Sequence, residues 1–158
     1  MAPYLSPANI ILAVTAGVLL YVAIVDLGRY TISNIQILAL AVLFLGYTAV
    51  TGRWSVLAWN VGIASLLLTV QLYFYSRSWM GGGDVKMLTA AFLWIGSDCA
   101  LLFAVLLCVF ASIHGLAAKL NWVRFQNSPD DKRARIAFAP SIAAALIGSF
   151  LLGCMHPA

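Results

Sequence analysis

From Pro7 to Met155 the chain is a succession of six apolar runs joined by short polar connections. No single motif constrains the fold as strongly as this pattern. A helix of ~20 apolar residues crosses the ~30 Å hydrocarbon core of a bilayer, and a backbone in lipid must satisfy its own polar groups. Of the 158 residues, 63% are hydrophobic and only 9% charged, with a mean hydropathy of +0.98. A soluble domain carries about 25% charged residues. The pattern therefore predicts an all-α, polytopic membrane protein with six transmembrane helices, and a single transmembrane domain over residues 1–158.

The expected spans are residues 7–25, 35–51, 56–75, 85–95, 99–120 and 136–155. Ser6 followed by Pro7 is a helix start, Ser33-Asn34 is expected to cap the second span, and Ser97 or Asp98 the fifth. Residues 128–133 carry the start signal of a short surface helix. Tyr73, Phe74, Tyr75 and Trp79 resemble an aromatic belt at a membrane surface. The first run has no basic flank and no small-residue cleavage site, so it is read as a retained helix and not a secretory signal.

Charge orients the bundle. The first, third and fifth connections hold Arg29, Arg77, Lys86, Lys119, Arg124, Lys132, Arg133 and Arg135, whereas the second and fourth hold Arg53 alone. The Lys/Arg bias predicts that the first set is cytoplasmic and that both termini lie outside the cytoplasm. The same distribution removes nucleic acid as a partner, because the net charge of +4 is not gathered on one face. Cys99, Cys108 and Cys154 have no C-x-x-C spacing, and they are expected to be buried free thiols with no metal site.

Within this apolar frame one stretch is unusual: Trp79-Met80-Gly81-Gly82-Gly83-Asp84-Val85-Lys86-Met87. Three glycines deliver a carboxylate to the start of a short apolar segment. Such a run can take positive φ angles or pass close to another backbone, and the expected result is a loop recessed below the membrane surface. An ionisable residue at that depth is a functional candidate. Asp26, at the end of the first run, emerges on the same side. Two carboxylates within a few ångströms cannot both ionise cheaply, so the pair holds one proton. The ionised member takes a proton from water while the protonated member donates to a substrate carbonyl.

The residues leave other readings open. Asp26 pairs as readily with Arg29, and Asp84 serves as well as a helix cap or a partner for Lys86. A small transporter or proton-relay subunit would use the two aspartates as stations along a path. A non-catalytic assembly subunit would use them only as caps. His114 and His156 read as structural, and Lys86 as an interface side chain.

Gly81-Gly82-Gly83-Asp84-Val85-Lys86 resembles the G-x-G-D-x-K motif of the type IV prepilin peptidases, membrane aspartyl proteases of bacteria. The stretch Asp26-Leu27-Gly28-Arg29, continuing to Ile32-Ser33-Asn34, is similar to their upstream motif, with Ser33 where that family usually has proline. Phe138-Ala139-Pro140 resembles their aromatic-x-Pro landmark. The resemblance implies that Asp26 and Asp84 are catalytic, with Gly81, Gly82, Gly83, Lys86, Arg29, Asn34 and Pro140 supporting substrate. It implies no cofactor. The substrate would be a prepilin, a basic leader followed by a hydrophobic helix in lipid, cleaved at the cytoplasmic face of the inner membrane. The paired C-x-x-C motifs of the methyltransferase domain in larger members are absent. The chain thus looks like the short form associated with Flp-type pili, and an archaellin-type leader peptidase is the nearest alternative.

Overall fold

The computed structural model describes residues 6–29, 31–120 and 137–154. Six helices follow one another: α1 (Pro7–Arg29), α2 (Asn34–Thr51), α3 (Trp54–Ser76), α4 (Gly82–Ile95), α5 (Ala100–Lys119) and α6 (Ala139–Leu151). No strand occurs among the described residues. Four helices, α1, α2, α3 and α5, are long and apolar enough to cross a membrane. The other two, α4 and α6, have 14 and 13 residues, which at ~1.5 Å per residue is about two thirds of a hydrocarbon core.

Local signals set several boundaries. The Ser6 hydroxyl accepts from the Asn9 N–H at 3.2 Å and starts α1. A reciprocal capping box starts α2: Ser33 Oγ accepts from Gln36 N–H at 3.3 Å, and Gln36 Oε1 accepts from Ser33 N–H at 2.9 Å. Gly52, at φ 70°, ends that helix. The expected cap of the fifth span is not present. The residue preceding α5 is Cys99, with no side-chain cap bond. Ser97 instead bonds Asp98 at 3.1 Å and receives the Trp59 indole N–H at 2.9 Å. The surface helix expected over 128–133 lies outside the described residues.

The two short helices form the interior. Helix α6 packs on α1, α5 and α4, and α4 packs on α2, α3 and α6. Trp94 of α4 is fully buried, donates its indole N–H to the Leu40 carbonyl at 3.1 Å, and meets the rings of Phe44, Tyr47 and Phe150. Along α6, Ala139, Ser141, Ala143, Ala145 and Ser149 are buried. Small side chains of this kind let helix backbones approach closely where no water drives them together. The long helices surround this pair and present apolar faces outward; α5 buries only Phe103 and Ala118.

Cys99 and Cys154 form a disulfide that ties the α4–α5 turn to the segment after α6, with Cα atoms 6.0 Å apart. This overturns the expectation of three buried free thiols. Cys108 is free, but it is exposed on α5. The pairing was hidden because 55 positions separate the two cysteines in sequence, and only the packing of α6 beside α5 brings them together.

Candidate active site

At the end of the bundle opposite the disulfide, the last turns of α1, α3 and α5 meet the first turns of α4 and α6. Helix α1 runs one turn beyond its expected end at Val25, so Asp26 lies within the helix and not at its terminus. Its side chain is 6% exposed. The carboxylate oxygen Oδ2 accepts the backbone N–H of Ala139 at 3.2 Å. Ala139 is the first residue of α6, and the opening amides of a helix have no partner within it. Pro140 follows and has no N–H to offer. Ser141 and Ile142 donate back to the Phe138 carbonyl at 3.1 and 3.3 Å. Asp26 thus satisfies an orphan donor at the positive end of a helix dipole, where an anion is favoured.

Asp84 is the third residue of α4. The helix starts at Gly82, three positions earlier than expected, and the glycine run is therefore the cap and first turn of α4 rather than a recessed loop. The positive-φ expectation is also overturned: Gly81 has φ −74° and ψ 144°, and the described glycines at positive φ are Gly52, Gly96 and Gly153. The run needs glycine for close approach. A Cβ on Gly81 would stand 3.0 Å from Asp84 Oδ2, one on Gly82 3.3 Å from the Tyr75 ring, and one on Gly83 3.3 Å from Ile32 Cδ1. The missing side chains let the chain ahead of α2 and the end of α3 close on α4, and leave the Asp84 carboxylate against the Gly81 N–H.

The two carboxyl groups come within electrostatic reach, since the charge of Asp26 acts on Asp84. They are not hydrogen-bonded to each other. Helices α1 and α4 do not pack together directly; α2 and α6 each pack on both. Among the described residues neither aspartate forms an ion pair with a cation. Arg29 and Lys86 are both exposed, so the pairing of Asp26 with Arg29 and of Asp84 with Lys86 is not seen. Of the expected supporting residues, Gly81, Gly82, Gly83 and Pro140 shape the surroundings of the carboxylates. Arg29, Asn34 and Lys86 point outward at the same end without touching them.

A match to the type IV leader peptidase family covers residues 13–116 and includes both aspartates. The chain belongs to the type IV leader peptidase family. Membership supports a prepilin leader peptidase role and an integral membrane setting for the apolar helices. No curated protein and no solved structure matches the chain.

Sequence reading missed one neighbour of the pair. His114, set aside as structural, reaches the site from α5: it lies within electrostatic reach of Asp26, and its Nδ1 is 3.3 Å from Ser141 Oγ. An ionisable side chain inside an apolar span was the available signal. Among the described residues no group of three or more His, Cys, Asp or Glu is placed to hold a metal ion.

Proposed function

We propose that this leader peptidase is an aspartyl endopeptidase whose catalytic pair is Asp26 and Asp84, acting on Flp-type prepilins at the cytoplasmic face of the inner membrane. The observation that supports the reading is the presence of these two carboxyl groups at one end of the bundle, within electrostatic reach of each other and each held by a backbone amide rather than neutralised by a cation. A structural carboxylate in an apolar bundle would be expected to have a cationic partner.

The ionised aspartate draws a proton from a water molecule, whose oxygen attacks the scissile carbonyl carbon. The protonated aspartate gives its proton to the carbonyl oxygen, forming a neutral tetrahedral diol. Collapse returns the carbonyl, passes a proton to the departing amide nitrogen, and leaves the pair with the single proton it began with. The pair titrates as a unit, so the acid and base roles belong to both groups.

Two observations support the orientation. In the sequence, eight of the nine Lys and Arg residues fall in the expected first, third and fifth connections, and among the described residues Arg29, Arg77, Lys86 and Lys119 lie at the aspartate end. The Cys99–Cys154 disulfide lies at the other end, and disulfides persist on the oxidising side of a membrane. Prepilin helices stand in the same bilayer, so a site near its cytoplasmic surface meets the junction of basic leader and hydrophobic helix without extracting the substrate.

Single Asp26→Asn and Asp84→Asn variants, assayed for leader removal from a co-expressed Flp-type prepilin, are each expected to lose roughly 10³-fold or more in rate while still inserting in the membrane. Cleavage at the parental rate by either variant would remove that aspartate from the chemistry.

A further inference from the structure

We propose that His114 is a positioning residue for Asp26, holding through Ser141 the first turn of α6 whose amide binds the Asp26 carboxylate. The inference rests on the peptidase reading above. Two links of a chain are present: Asp26 Oδ2 accepts from Ala139 N–H at 3.2 Å, and two residues later Ser141 Oγ meets His114 Nδ1 at 3.3 Å. The opening turn of α6 is therefore gripped on one side by α1 and on the other by α5.

Packing does not account for this histidine. Among the described residues Ser141 is the only hydrogen-bond partner of the ring, and Nε2 is buried without one. An unsatisfied imidazole nitrogen among apolar helices is unfavourable, and a leucine would fill the space without that cost. The ring acts on Asp26 through α6, and it lies within electrostatic reach of that carboxyl group. Of the elements packed on α5, α6 carries no titratable group in its described residues, and α4 carries Asp84 and the exposed Lys86. On α5 itself the other cation is Lys119, at the exposed end of the helix.

His114→Gln keeps a polar side chain near Ser141 while changing its reach. With the full chain in proteoliposomes and a prepilin substrate, kcat and KM for cleavage are measured separately. His114→Gln is expected to lower kcat by about 10-fold, the scale of a small misplacement of a catalytic group, with KM for the prepilin little changed. Ser141→Ala is expected to lose kcat in the same way, and Ser141→Thr to recover it.

A His114→Gln variant with the parental kcat, or one whose loss lies in KM alone, would overturn the proposal, because a residue that positions a catalytic group acts on the chemical step. If that variant fails to accumulate, the serine pair decides, and full rate in Ser141→Ala overturns the proposal. Should Asp26→Asn abolish cleavage while His114→Gln keeps the parental kcat, only this inference falls. A parental protein that cleaves no prepilin removes the peptidase reading and the inference together.

Discussion

At Gly96, just past the end of α4, the backbone has φ 60° and ψ −150°, a region open essentially to glycine. The space is also taken. A Cβ there would collide with the Asn60 side chain, whose amide donates to the Leu93 carbonyl at 3.0 Å. That carbonyl belongs to the last turn of α4 and has no partner within the helix. Gly96→Ala is expected to destabilise the protein by about 2–4 kcal/mol, combining backbone strain with displacement of Asn60. A clearly lower melting temperature of the purified protein in detergent checks this, and an unchanged one refutes it. The glycines at the other end of α4 act differently, since Gly82 and Gly83 hold ordinary helical backbone and are small because Tyr75 and Ile32 lean on them.

Among the elements, α2 shows how a local device reaches the site. Ser33 sits at φ −78° and ψ 150°, a backbone that proline adopts readily. A serine where the resembled motif has proline thus leaves the path of the backbone alone and supplies a capping box in place of a rigid ring. The adjoining Ile32 packs on Gly83, one position before Asp84. Ser33→Ala removes the hydroxyl that accepts from Gln36 N–H, at a cost of about 1 kcal/mol. A small fall in thermal stability is expected, with a larger loss of cleavage if Ile32 loosens against α4. Parallel measurement of melting temperature and rate tests this, and a rate that stays at the parental value would show that the cap serves stability alone.

On the scale of the molecule, the two ends of the bundle differ in chemistry. One gathers Asp26, Asp84, His114 and, among the described residues, Arg29, Arg77, Lys86 and Lys119, and the other carries the Cys99–Cys154 disulfide. A cross-link closing a loop of this size stabilises a fold by about 2–4 kcal/mol, and it joins the α4–α5 turn to the end of the interior helix α6. Intact cells treated with a membrane-impermeant reductant and then a bulky thiol reagent should show labelling of Cys99 and Cys154 only after reduction. Labelling without reduction would mean that the cysteines are unpaired. Protection from the external reductant, with reaction only after the cells are opened, would place that end in the cytoplasm and invert the proposed orientation.

The distribution of apolar residues was enough to determine an all-helical protein made for a membrane, because no other arrangement satisfies a backbone in lipid. The same holds for the start of α2, where Ser33 and Gln36 are three positions apart and any chain with that spacing closes the box. Asp26 and Asp84 stood out as lone acids at helix ends on one side. Their surroundings were not legible, since the Ala139 amide, His114 and Ser141 join them only when α6 packs between α1 and α5. Nor did composition reveal that the two shortest helices lie inside the four long ones, because a helix sheltered by protein has no bilayer to span and its length carries no signal. Periodicity and charge act between near neighbours in sequence and are read there; the pairing of distant groups is decided by which helix faces meet, and that exists only in the folded bundle.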